Sequence, residues 1–528
     1  MNWLKDIQFF FTALPTESKT LLTLGFVCIL LSTLLFIKNS KWTKASLFLS
    51  AILVSSAFAT MDPFFHTWDE SFHALVSKNT SNNFLKPHLL NSELVEYYPE
   101  NWIGNYIWLH KPPLSLWQIG ISIDILGANI FAVRLPSIIL FSSTVILVYD
   151  IATTLTGRSV AFYSALLYIL FHFSLEQVAG IYTSDHIDVS FTFYITASLW
   201  AWCKHMNTGL NRHLYLIGLF SGMAILTKWL VGLLIFGSWG VLILVLLFFS
   251  QKEAFTHLKK AIKAFLVAAC VSLPWNVFAA INYPNEYWHE FTYARKHFTE
   301  IIEGHGGGVL YYWENISTLF GGGLLIPALI VLSILLFAIT IRGFNKKVVV
   351  LAFICIPYVF FTLAATKMEN FVNIVSPVIL IAVAVLIVKT GSFLRKKIDI
   401  HPAWNMAFIV ILFPFLLRPN QSIKNHLFED KTSRSYLESM QNSIKELSGD
   451  SKVYIYSGFE NYEHIIHMYY HESVAIPHIP EARVLEEWRN QNIPVSIVYI
   501  NEKPALLNLP DNTQFIKLEH QENLNRKK

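Results

Sequence analysis

Between Met61 and Trp117 the chain reads MDPFFHTWDESFHALVSKNTSNNFLKP, passes through a polar run, and ends in HKPPLSLW. The stretch gathers His66, Asp69, Glu70, His73, His110 and Lys111 between apolar segments. An adjacent acid pair suits general-base or metal-ligand work, with its proton affinity set by partial desolvation at an interface. Lys111 stands before Pro112 and Pro113, which stiffen the backbone and withdraw two donors, so the cation suits a fixed anion such as a lipid phosphate. Plainer readings exist for each: a polar cap on a surface helix for the acids, and a side chain snorkelling to the interface for the lysine.

Other chemistry-bearing residues recur further along. Asp185 and Asp188 in GIYTSDHIDVSF lie about one helical turn apart, so both could present to one face. Acids beside a membrane span are unfavourable unless paired or bound, which favours a functional site, and Asp185 is nearer the loop. Lys228 is bracketed by apolar runs in GLFSGMAILTKWLVGLL, and Lys367 lies in AATKMENFVNIVSP. With Lys111 these make three cations suited to a phosphate- or pyrophosphate-bearing lipid. The segment 281–319 carries Arg295 among closely spaced aromatics, the pattern of an interfacial amphipathic helix, followed by GHGGG. That glycine run reads as a mobile lid or a flexible linker and not as a P-loop, because no Gly-Lys-Ser/Thr follows. His464, His467 and His471 fall at i, i+3 and i+7 and could meet a metal, but they lack the glutamate of an open zinc site and read as a surface-helix face.

These residues sit in a chain of 528 residues that is 54% hydrophobic and 14% charged, with a mean hydropathy of +0.44. Soluble domains carry about 25% charged residues, so this is a polytopic membrane protein. Its net charge of +4 comes from short basic loops and points to membrane orientation, not to nucleic acid. Cys28, Cys203, Cys270 and Cys355 all lie in apolar segments, which implies neither a disulfide framework nor a Cys-rich zinc site. The first apolar stretch, 20–37, lacks a small-residue cleavage signature and reads as a retained span.

Further spans are expected near 44–61, 133–153, 160–178, 187–203, 211–227, 229–250, 262–280, 320–341, 348–366, 372–390 and 403–418. Basic connections at 38–44, 157–158, 204–213, 252–263, 342–347 and 395–397 belong in the cytoplasm by the positive-inside rule. The connections 62–132, 179–186, the turn at Lys228, 281–319 and 367–373 then face outward, so the ionisable residues gather on the outer face. Leu114 to Leu126 is too short for a span and reads as a juxtamembrane or partly inserted helix. From about Pro419 the composition becomes that of a soluble domain. Leu437, Met440, Ile444 and Leu447 make a helical stripe, and KVYIYSG, PVSIVYI and QFIKLEH read as short strands, giving a small α/β unit. The expected class is an all-α polytopic membrane protein with about 12–13 transmembrane helices and a C-terminal soluble α/β domain. It divides into an extra N-terminal segment 1–43, a transmembrane domain 44–418, and an outer-face domain 419–528.

An ordered set of these motifs resembles the GT-C glycosyltransferases, in the branch holding protein O-mannosyltransferases and the lipid A aminoarabinose transferase. Trp68-Asp69-Glu70 resembles the acidic motif of the first outer loop, and His110-Lys111-Pro112-Pro113-Leu114 the KPPL element. Ala132 to Ser137 resembles ARLPS, Asp185 falls at the second acid, and Leu226-Thr227-Lys228 resembles LTKG. Leu273 to Asn276 resembles the PW element, and Lys367, Phe371 and Pro377 the late lysine-aromatic-proline element. The chain departs from the pattern at His110, where glutamate is usual, at Trp229 in place of glycine, at Phe371 in place of tyrosine, and in its extra first span. The resemblance covers about 44–418.

The resemblance implies an inverting hexosyl- or pentosyltransferase in a bacterial inner membrane, facing the periplasm. It would take a sugar from a polyprenyl-phosphate donor and pass it to lipid A, another envelope lipid or glycan, or a protein. Asp69, or else Glu70, would be the general base; Lys111 and Lys228 would hold the donor phosphate, with Arg295 and Lys367 as secondary contacts. Asp185 with His110 would orient the site or bind a divalent metal cation. A lipid-linked sugar flippase is the alternative from another class, although transporters place binding residues near the bilayer midplane on broken helices.

Overall fold

The computed structural model describes residues 14–90, 103–181, 186–321, 325–397, 431–504 and 513–518, with positions 12, 94 and 509. The chain is a predominantly helical, polytopic membrane protein with a small C-terminal sheet. Among the described residues six helices are long and apolar enough to cross a membrane: Thr16–Ile37, Ile130–Leu155, the run Asn211–Phe249, Gln251–Asn282, Phe344–Leu363 and Ser376–Phe393. A seventh is the pair Arg158–Ile169 and His172–Val178, if its 47° bend lies within one span. Within the expected span at 160–178 the helix bends by 47°. Thr43–Ala59 and Ile326–Thr340 are apolar but shorter, at 17 and 15 residues. The helix His186–Thr208 reaches 23 residues yet carries Asp188, Ser190, Thr192, Thr196 and Ser198 on buried positions, so protein contacts rather than lipid define it. The expected span at 403–418 lies outside the described residues.

The packing divides the chain into two compact units. Residues 1–61, 137–284 and 290–424 form the first, and 62–136, 285–289 and 425–528 the second.

In the first unit, Thr16–Ile37 packs along Thr43–Ala59, and Asn211–Lys228 packs between His186–Thr208 and Gln251–Asn282. The second contact is very close because of Gly218 and Gly222, one turn apart. A Cβ at Gly218 would lie 2.1 Å from the Ala264 carbonyl oxygen, and one at Gly222 2.8 Å from that of Ala268. This small-xxx-small face lets two membrane helices approach backbone to backbone. The run Asn211–Phe249 has 39 residues, about 58 Å if straight, roughly twice the hydrocarbon core. It breaks at Lys228, where the helix ends in a 3-10 turn, Trp229–Leu233, before the helix Leu234–Phe249 begins.

In the second unit, the helix Asp69–Ser81 packs against Leu114–Leu126. Gly120 makes that contact tight, since a Cβ there would lie 2.9 Å from the Ser77 carbonyl oxygen. The 13-residue helix Leu114–Leu126 matches the expected juxtamembrane element in extent. The C-terminal region builds an all-parallel sheet in the order β2-β1-β3-β4, with β1 Val453–Ser457, β2 Val474–Ile476, β3 Val495–Tyr499 and β4 Gln514–Lys517. Val453 pairs with Val474 on one side and Val495 on the other. β2 has only three residues, too few to signal itself in the sequence. Phe65, Phe72, Leu75, Trp108, Met440, Ile444, Tyr456, Ile466 and Tyr469 share one core. The Gln441 amide donates to the Phe65 carbonyl at 2.7 Å and accepts from its N–H at 2.8 Å, standing in for a backbone partner.

The helix Glu463–Tyr470 corrects one expectation. It packs on the sheet, on Lys431–Lys445 and on Asp69–Ser81, so His464 and His467 are buried in a core, not on a surface face. Hydroxyls satisfy both His467 ring nitrogens, Tyr456 at 2.9 Å and Ser473 at 2.7 Å, while His471 Nε2 bonds the Ile444 carbonyl at 2.7 Å. Burial, with help from neighbouring histidines, holds His464 and His467 down to about 3, so both rings are neutral near pH 7.

Candidate active site

In the second unit, Trp68 takes φ +79° and the helix Asp69–Ser81 starts immediately after it. Carboxylates are favoured in a first turn, where free N–H groups carry partial positive charge. Successive residues of a helix point about 100° apart. Asp69 is therefore half-exposed, while Glu70 turns into the core with its side chain fully buried.

Glu70 is wholly engaged there. Its Oε1 accepts from Arg134 Nε at 2.7 Å, and its Oε2 from Arg134 Nη2 at 3.0 Å and the His66 N–H at 2.7 Å. The same guanidinium donates to the carbonyls of Asp62 at 2.8 Å and Phe64 at 2.9 Å. Arg134 thus pins the segment 62–66 to the start of the helix that carries Asp69. Asp62 in turn accepts from Arg434, with Nε at 3.0 Å, and its other oxygen lies 3.3 Å from His66 Nε2. Burial lowers the proton affinity of His66 despite the nearby carboxylates of Asp62 and Glu70. Lys111 and His110 are half-buried just ahead of Leu114–Leu126, and the His110 ring meets Trp108 edge-on at 5.7 Å.

In the first unit, Lys228 closes the helix Asn211–Lys228 and its ammonium is paired with Asp188 Oδ1. Asp188 is in the first turn of His186–Thr208, and its Oδ2 accepts from Asn370 Nδ2 at 2.9 Å. The Lys228 ammonium also lies 5.7 Å from the centre of the Phe371 ring, a cation–π distance. Asn370 and Phe371 belong to the short helix Glu369–Asn373, whose Asn373 donates to Gln177 Oε1 at 3.0 Å. The lysine side chain is 24% exposed and its aspartate 2%, so the cation reaches outward from a buried, fixed counter-charge.

Of the other expected cations, Lys367 is buried and its ammonium donates to the Ala364 carbonyl at the end of Phe344–Leu363. That caps a helix C-terminus, where cations are favoured. The late element thus reaches Lys228 through Asn370 and Phe371 and not through its lysine. Arg295 is exposed on the amphipathic helix Pro284–Thr299. Asp185 lies outside the described residues, and among the described residues no group of three or more His, Cys, Asp or Glu could hold a metal ion.

Arg134, Asp62, Arg434 and Asn370 escaped the reading of the sequence as site residues. Arg134 carried a signal, a lone charge in the apolar run IFAVRLPSIIL, since a buried charge requires a partner. Asn370 carried none, because its role arises only when Glu369–Asn373 meets a helix 182 residues away.

Asp69 at a helix start in the second unit, and Lys228 with its counter-ion Asp188 at a helix end in the first, are the candidate groups that this helical architecture positions. Residues 110–277 match the family described as dolichyl-phosphate-mannose-protein mannosyltransferase. In sequence the chain is similar to the undecaprenyl phosphate-alpha-4-amino-4-deoxy-L-arabinose arabinosyl transferase 2 of Proteus mirabilis, 28% identical over 57% of this chain and 52% of the relative. The corresponding protein of Photorhabdus laumondii is 27% identical over 52% of this chain and 49% of its own. The chain thus spans about half the length of the curated relatives it matches. Its fold is similar to the crystal structure of ArnT from Cupriavidus metallidurans bound to undecaprenyl phosphate, with a TM-score of 0.59 at 14% identity over 86% of this chain and 90% of that one. It is also similar to the archaeal oligosaccharyltransferase AglB of Archaeoglobus fulgidus, with a TM-score of 0.55 at 12% identity over 83% and 64%. The chain thus has an ArnT-like GT-C fold, and its family match covers residues 110–277.

Proposed function

We propose that this protein is an inverting glycosyltransferase that moves a sugar from a polyprenyl-phosphate donor to an acceptor at the outer face of a bacterial inner membrane. The reaction class is supported by the likeness to aminoarabinosyl transferases named for an undecaprenyl-phosphate donor. The observation that carries the chemistry is the contrast between adjacent acids: Arg134 and the His66 N–H hold Glu70 in the core, while Asp69 is half-exposed at the helix start. Glu70 therefore has a positioning role, and Asp69 is assigned as general base.

In the step proposed, Asp69 accepts the proton of an acceptor hydroxyl as its oxygen attacks the anomeric carbon. The bond from that carbon to the phosphate oxygen breaks on the opposite face, and polyprenyl phosphate leaves with the bonding pair. Lys228 and Lys111 stabilise the negative charge that grows on the leaving phosphate. Arg295 and Lys367 are assigned secondary contacts at most, Lys367 because a helix carbonyl already takes its ammonium. A divalent cation held by His110 and Asp185 would neutralise part of the same charge; His110 supplies a single ligand, and no step above depends on such an ion. The acceptor class, whether lipid A, another envelope lipid or glycan, or a protein, is open to the same assay. No observation favours the flippase alternative.

The test uses protein in lipid nanodiscs given radiolabelled polyprenyl-phosphate sugars and a cell-envelope extract. Transfer by wild type that collapses in Asp69→Asn, with donor binding kept, supports the assignment and identifies the acceptor fraction. Equal transfer by both removes Asp69 from the chemistry, and donor binding without transfer by either overturns the enzyme reading.

A further inference from the structure

Immediately after Lys228 the backbone of Trp229 takes φ +57° and ψ −155°, a conformation that glycine enters freely and a bulky side chain does not. The surroundings impose it. Upstream, Gly218 and Gly222 fix the helix Asn211–Lys228 against Ala264 and Ala268. Downstream, Ser221 Oγ donates to the Gly232 carbonyl at 2.6 Å. A Cβ at Gly232 would lie 2.5 Å from the Ile225 nitrogen, so the 3-10 turn is folded tightly onto the helix that precedes it. Position 229 absorbs the reversal, a conformation that glycine would take without strain. A tryptophan at this position calls for a role of its ring.

The ring meets Phe291 of the helix Pro284–Thr299 edge-to-face, with centroids 6.4 Å apart and planes at 72°. Such pairs are favourable and directional. The backbone amide that carries this ring follows directly on Lys228, so the position of the Trp229 ring and the path of the Lys228 backbone are set together. Phe371 and Asp188 bound the ammonium, and the Trp229–Phe291 pair, within the same unit, anchors the turn to the part of the amphipathic helix from Glu290 onward.

We propose that Trp229 is a positioning residue: with Phe291 it clasps the Lys228 turn to the helix Pro284–Thr299, and binding of a lipid phosphate at Lys228 requires that clasp. The inference rests on the reading of Lys228 as a donor-phosphate contact.

The experiment measures binding of undecaprenyl phosphate to the full chain in nanodiscs, with the unfolding midpoint recorded with and without the lipid. Wild type binds and shifts upward, and Lys228→Gln loses the shift. Trp229→Gly keeps the wild-type midpoint or exceeds it in the absence of lipid, because strain is relieved, yet binds at least tenfold more weakly. Phe291→Leu shows the same loss, the double variant is no worse than either single one, and Trp229→Phe, which keeps an aromatic ring, retains binding. If Trp229→Gly lowers the midpoint, Phe291→Leu and Trp229→Phe decide the matter. Wild-type affinity in Trp229→Gly or in Phe291→Leu, or multiplied losses in the double variant, overturns the clasp alone. A wild type that fails to bind, or a Lys228→Gln that binds equally, overturns the reading of Lys228 and the clasp with it.

Discussion

Replacing Glu70 with Gln removes one charge from a pair in which both side chains are fully buried. The variant leaves the Arg134 guanidinium charged in the interior with neutral partners, and breaking a buried pair in this way costs roughly 3–5 kcal/mol. Arg134 keeps the Asp62 and Phe64 carbonyls, which places the expected loss near the lower end, about 3 kcal/mol. Asp69→Asn one residue earlier changes a half-exposed group whose stabilising effect on the helix start is worth about 0.3–1 kcal/mol. If Asp69 is the base, its loss lowers transfer by about 10²–10⁴-fold. The two acids thus separate on two axes: Glu70→Gln lowers the unfolding midpoint by several degrees, and Asp69→Asn abolishes turnover at a nearly unchanged midpoint. A paired change, Glu70→Leu with Arg134→Leu, recovers only part of the stability, since the carbonyls of Asp62 and Phe64 then lose donors at about 1 kcal/mol each. Thermal unfolding and sugar transfer, measured on the same nanodisc preparations, decide the question. The reasoning is refuted if Asp69→Asn is as destabilising as Glu70→Gln, or if Glu70→Gln retains full stability and loses all transfer.

Lys228→Gln lowers transfer by about 10²–10³-fold, the range for removing one stabilising donor, whereas Lys367→Gln loses less than about tenfold because its ammonium caps Ala364; equal losses from kinetic assays of both would reverse the ranking of the two lysines. The C-terminal domain weakens in acid. His464 and His467 have folded-state values held at about 3 against an ordinary 6.5, so their neutral forms stabilise the fold above pH 6.5 and that contribution is lost as pH falls toward 3. Between pH 7 and 5.5 the loss is about 1.2 kcal/mol for each ring. Hydrogen exchange of the β1 and β3 amides reads it, and His464→Leu halves the pH slope; protection independent of pH would contradict the burial argument. Chelation with EDTA followed by transfer assays tests the cation: restoration of a lost rate by added Mg²⁺ or Zn²⁺ supports a metal at His110 and Asp185, and an unchanged rate removes it.

The apolar runs and the turn residues made much of this legible in the sequence. Leu114 to Leu126 stands out as a short apolar helix because Pro112-Pro113 and Gly127 bound it, and KVYIYSG announces β1 through its β-branched and aromatic residues. What was not legible depended on partners distant in the chain. The fate of Glu70 turns on Arg134, 64 residues away, and that of Lys228 on Asp188 and Asn370. His464 and His467 have surface-like spacing but sit in a core, because the three-residue strand β2 beside them carries too little pattern to be seen. The same holds for the bend between Arg158–Ile169 and His172–Val178, where no proline or glycine marks the break at Leu170–Phe171.

Local preference fails most informatively at two tryptophans. Among the described residues six non-glycine positions have positive φ, and two of these are Trp68 and Trp229. Aromatic residues avoid that region because the Cβ crowds the following carbonyl, so neither would be assigned there from sequence. Trp68 precedes Asp69 directly and its ring packs edge-on against Tyr462; Trp229 follows Lys228 directly and packs edge-on against Phe291. In each case a bulky ring is held in place by packing across the fold while the backbone beside it turns sharply to present an ionisable side chain. Strain of about 1–3 kcal/mol at one residue persists only where the surroundings over-determine it. Two such positions, each touching a residue assigned to chemistry, argue that the sharp turns at 68 and 229 are part of what aims Asp69 and Lys228, and that rings elsewhere in each unit hold those turns.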